Sequence, residues 1–130
     1  MDKIASMIDK TLILRAGVAI ILIMHSVPGM FDGGVNAFGN LYLNEIGFAP
    51  FGVFLAWTIK LSHTIAAILL LSNRYLIIAT LITLPTLIMG IIMIHFKEGW
   101  FVVGGGRNGM EFNILLMCVL IYLALDARKK

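Results

Sequence analysis

Five side chains offer chemistry in an otherwise oily chain: His25, Lys60, His63, His95 and Glu111. Each lies inside an apolar run or at its end. In hydrocarbon an ionisable side chain costs about 2.5–3.5 kcal/mol on insertion scales, so such groups turn toward one another, a ligand or a wet cavity. His95 closes one run and Glu111 opens the next, across a short link that holds Trp100, Phe101 and Gly104-Gly105-Gly106. A carboxylate beside an imidazole holds it in one tautomer and tunes its proton affinity, so this pair could move a proton or grip a ligand head. The same pair could equally be a structural clamp. Lys60 and His63 are three residues apart and share one helical face. A mid-span ammonium must be paired, neutral or hydrated, and pairing with Glu111 would satisfy both groups. His63 is either a proton relay or a neutral core histidine, and His25 is either a site residue or interfacial.

Other chemistries lack their residues. No HxxxH or HxxE spacing falls within one run, so no metal site is expected. The glycines at 104–106 have neither the Lys-Ser/Thr of a P-loop nor a strand before them, and read as a flexible turn. Cys118 is the one cysteine, which excludes an internal disulfide and CxxC chemistry; it is expected to be inert packing.

The elements that must position the five groups follow from hydropathy. Hydrophobic residues make up 60% of the 130 positions and charged residues only 13%, so the surrounding solvent must be lipid. The net charge of +3 is too small and too scattered for a nucleic-acid partner. Four spans are expected, at 12–27, 51–71, 75–96 and 109–125, with Pro28-Gly29 stopping the first and Ser72-Asn73-Arg74 turning the second into the third. Residues 1–12 read as an amphipathic helix lying in the interface. They are kept rather than read as a signal peptide, because no small-x-small cleavage site follows. Val35, Phe38, Tyr42 and Ile46 recur at near-helical spacing, which predicts an interfacial helix over 35–46, placed to lid the bundle. Pro85 frees the carbonyl of Leu81, and Thr80, Thr83 and Thr86 are at hand to re-satisfy it. Arg15 reads as an anchor that snorkels to the headgroups.

The fold expected is all-α: one transmembrane domain, an antiparallel four-helix bundle. With both termini inside, Lys3, Lys10, Arg15, Arg74, Arg128, Lys129 and Lys130 face the cytoplasm, against Lys97 and Arg107 outside. At 1.5 Å per residue, His25, His95 and Glu111 fall toward the outer ends of their spans, and Lys60 and His63 lie nearer mid-span. All five are expected to face the bundle interior.

Arg15-x-Gly17, the stretch NAFGNLYLNEIGFAP before span two, Gly90 five residues before His95, HFKEGWF, and Met110-Glu111-Phe112 opening span four together resemble the DoxX family. Those are small four-helix membrane proteins of bacteria and archaea, and the likeness covers nearly the whole chain. It implies a four-helix bundle in the cytoplasmic membrane. Some relatives are associated with thiosulfate oxidation linked to quinone reduction, others with redox-defence complexes. Family members usually carry a Glu in span two, where this chain has His63 with Lys60 a turn before.

The first expectation is therefore a quinone-linked redox accessory. Lys60, His95 and Glu111 would hold carbonyl oxygens, and His63 or His25 would supply protons. No redox cofactor is encoded, so the electron donor must be a partner subunit or a soluble substrate. The alternatives are a binding or transport module for a small lipophilic or anionic solute, and a purely structural membrane partner.

Overall fold

Leu12 begins the first long helix, and the chain alternates long apolar helices with short links from there on. The computed structural model describes residues 2–129, and every regular element among them is helical. Helix α1 is Asp2–Met7 and α2 is Leu12–Phe31. Helix α3 starts at Gly34–Ala37 and runs on as wider π-helical turns, Phe38–Phe48, which Gly47 ends at φ 117°. Helix α4 is Gly52–Leu71. Helix α5 is Leu76–Gly90, continued by a π-helical stretch Ile91–His95 and a last turn Phe96–Glu98. Helix α6 is Glu111–Ala127.

Three of these, Leu12–Phe31, Gly52–Leu71 and Leu76–Glu98, are long and apolar enough to cross a membrane. At 20, 20 and 23 residues each rises at least about 30 Å, the thickness of a bilayer's hydrocarbon. Helix α6 has 17 residues, a little short of that length.

Two local expectations are corrected. Pro28 does not stop α2, which continues through it to Phe31. Proline forfeits only the bond to the carbonyl four residues back, here that of Met24, a residue on the exposed surface. Nor do threonines repair the Pro85 site. Thr83 donates to Ala79 O at 2.8 Å, and the single hydroxyl proton of Thr80 is shared between Leu76 O and, across the interface, Leu120 O of α6, each 2.9 Å away. These hydroxyls bond one turn back and across helices, and none of the bonds reaches Leu81. Cys118, expected in packing, is exposed on α6.

Helix α2 packs on α4, α4 on α5, α5 on α6, and α6 touches α2, while α3 lies against α4. One half of this arrangement is solid. Val18, Ala19 and Leu22 meet Ala66, Ala67 and Leu70 of α4, Leu76 and Ala79 of α5, and Leu120 and Leu123 of α6. Four fully enclosed alanines, Ala19, Ala66, Ala67 and Ala79, let the backbones approach closely, as small residues do where helices meet in lipid. Burying each leucine there is worth about 1.5–3 kcal/mol in water and less in a bilayer.

Arg15 closes the solid end. It is fully buried rather than snorkelled to solvent. Its guanidinium donates to Leu70 O at 2.8 Å, to Met7 O at 2.6 Å, to Thr11 Oγ1 at 3.0 Å and to Asp9 Oδ1 at 3.2 Å. The last carbonyls of α1 and α4 have no intrahelical partners, and one planar cation with five N–H groups serves both helices.

A cavity bounded by five helices

The other half is hollow. A cavity of about 740 Å³ opens among α2, α3, α4, α5 and the start of α6. This falls within the roughly 300–1,000 Å³ of sites that take small organic ligands. Ile21, Leu22, Leu55, Ile59, Leu87 and Leu116 are among its apolar walls, and Phe38, Tyr42 and Ile46 of α3 form one side. The helix expected over 35–46 is thus present, lengthened at its end, and lines the cavity.

Its position depends on two glycines. A Cβ on Gly39 would collide with the backbone of Val53, and one on Gly52 would collide with Gly39 O and Asn44 Oδ1. Gly52 N instead donates to Asn44 Oδ1 at 2.8 Å, so a side chain of α3 caps the start of α4. Trp57 Nε1 adds a bond to Asn36 Oδ1 at 2.8 Å. Gly39, Asn44 and Gly52 are the residues that sequence reasoning missed. The signal available was a glycine and an asparagine inside a segment read for its apolar spacing and its resemblance, not for close helix approach.

Four of the five candidate side chains line the cavity: His25, Lys60, His63 and His95. Lys60 does not pair with Glu111. Its Nζ donates to His25 O at 2.7 Å and lies 5.3 Å from the centre of the Phe38 ring, within cation–π range. Phe38 in turn stacks on Tyr42 with centroids 5.7 Å apart.

His63 is 7% exposed, and among the described residues neither ring nitrogen has a hydrogen-bond partner or surface open to the cavity. Leaving such a buried polar group unsatisfied costs about 1–3 kcal/mol. His95 Nδ1 lies 2.7 Å from Asn108 O. A carbonyl only accepts, so Nδ1 carries the proton in this bond.

Glu111 is the correction. It does not line the cavity and does not bond His95. Its Oε1 accepts the backbone N–H groups of Val102 at 2.7 Å and Val103 at 3.0 Å. Two aligned backbone donors satisfy a carboxylate without burying it. Backbone bonds Met110 N to Gly99 O and Glu111 N to Trp100 O, both 3.1 Å, complete the clasp. Glu111 therefore shapes the link that carries Asn108 to His95.

Among the described residues no group of three or more His, Cys, Asp or Glu is placed to hold a metal ion. No family model, curated protein or solved structure matches the chain.

Proposed function

We propose that the chain is a multi-pass membrane protein, an antiparallel four-helix bundle with both termini cytoplasmic, that binds a lipophilic molecule with a small oxygen-bearing head. The ligand class is a quinone in its oxidised or reduced form, and the protein acts as an accessory to a quinone-linked redox system. The observation that carries the binding claim is the cavity itself: about 740 Å³ walled by apolar side chains, with Lys60 and His95 in its lining. Apolar walls suit a ring and a hydrocarbon tail. Lys60 Nζ, steadied by His25 O, retains further N–H groups for a ligand oxygen. The redox setting rests on the resemblance to the DoxX family. A bound quinone would supply two-electron, two-proton chemistry, while the chain's own part is to bind and orient it. Electrons would come from a partner subunit or a soluble donor.

Purified protein titrated with short-tailed quinone analogues should melt at a higher temperature. A ligand at a hundredfold excess over Kd stabilises by about 2.7 kcal/mol, which for a chain of this size is several degrees. Lys60→Met should shrink the shift. Glu111→Gln should leave it intact, because Glu111 faces the link. No shift with any analogue would end the proposal.

Lys60 favours one alternative, since no carboxylate pairs with it among the described residues. An anionic amphiphile would supply that charge. Uptake by proteoliposomes, abolished in Lys60→Met, would mark the protein as a solute carrier instead.

A further inference from the structure

We infer that the head recognised in this cavity is a hydroxyl, so that the preferred ligand is a lipophilic phenol or hydroquinone rather than a molecule whose oxygens only accept. The inference rests on the proposed ligand-binding role of the cavity and deepens it. It starts from His95. Asn108 O lies 2.7 Å from Nδ1 and cannot donate, so the proton of a neutral ring sits on Nδ1. Nε2 is then a bare lone pair. It has no partner among the described residues, and Gly90, another cavity residue, has only hydrogen where a Cβ would stand 3.8 Å from Nε2.

Lys60 supplies the complementary observation: its Nζ bonds His25 O at 2.7 Å and keeps further N–H groups for a ligand. The nitrogens of His63 have no surface open to the cavity, so the groups on offer are the His95 Nε2 acceptor and the Lys60 donors. A carbonyl or ether oxygen can answer Lys60 but leaves the Nε2 lone pair bare. A hydroxyl answers either kind of group, since its O–H donates while its oxygen accepts. Sites that lose a partner for a buried polar group discriminate strongly, whereas sites that only gain contact area do not.

The test compares matched probes on the full chain in lipid nanodiscs, with empty nanodiscs as the blank and affinities referred to the concentration in lipid. The probes are a 4-alkylphenol, its methyl ether, an alkylated benzohydroquinone kept reduced, and the corresponding benzoquinone. Calorimetry should show the phenol and the hydroquinone binding roughly tenfold or more tighter than the ether and the quinone. In His95→Phe the preference should fall while part of the binding remains. The wild-type comparison stands alone if that variant does not fold. Equal affinity for phenol and ether, or tighter binding of the quinone, would overturn the hydroxyl assignment and leave the cavity a binding site. Absence of heat above the blank for all four probes would overturn the binding role itself and the assignment with it.

Discussion

Arg15 and Glu111 both serve to tie backbone, and each has measurable consequences. Arg15→Leu should cost about 2–4 kcal/mol, because it strands Met7 O and removes the cation that ties α1, Asp9 and the end of α4 together. Arg15→Lys should recover little, since one ammonium cannot reach the four acceptors that a planar fork does. Thermal denaturation in detergent measures both. Glu111→Ala should release the link: exchange of the Val102 and Val103 amides with deuterium should accelerate, with little change at Leu120. At this scale the sequence was a partial guide. Counting residues along each apolar run brings His25, His95 and Glu111 toward one level, with Lys60 and His63 nearer mid-span. It cannot tell which acceptor an ionisable group will choose, because those chosen here are backbone atoms. Glu111 bonds two amides, Lys60 and His95 bond carbonyls, and every residue type but proline carries both groups.

At the scale of elements, hydropathy placed the long helices to within a few residues, since apolar length is itself what lipid demands. It could not place the seam between α3 and α4, which depends on the absence of side chains. Two glycines separate these cases. Gly39→Ala puts a methyl into the backbone of Val53, so α3 must lift, with a loss of about 1–3 kcal/mol and weaker binding in the cavity. Gly17 lies inside α2 with nothing within 4 Å of an added Cβ. Gly17→Ala should stabilise the protein by roughly 0.5–1 kcal/mol through helix propensity alone. Thermal melts of the two variants, with and without a bound probe, distinguish a seam from a neutral glycine.

At the scale of the molecule, half of the helical packing is solid and half encloses space. The cysteine-bearing chain offers a direct check of how it sits in a bilayer. After Cys118→Ser, single cysteines at Lys3 and Lys129 should react with an impermeant thiol reagent from the cytoplasmic side only, and one at Arg107 from the opposite side only. Labelling of Lys3 and Lys129 from different sides would leave an odd number of crossings and remove the proposed bundle.

The seam at Gly39 and Gly52 also governs how such a chamber can change. Two backbones already in contact have no slack to give, so the wall cannot be brought nearer by shortening anything along it. The volume is set by the side chains that project from that wall, chiefly Phe38, Tyr42 and Ile46. Trimming Tyr42 would admit a bulkier guest while the hinge line stayed in place. Ligand size can thus drift by single substitutions, independently of what keeps the helices together.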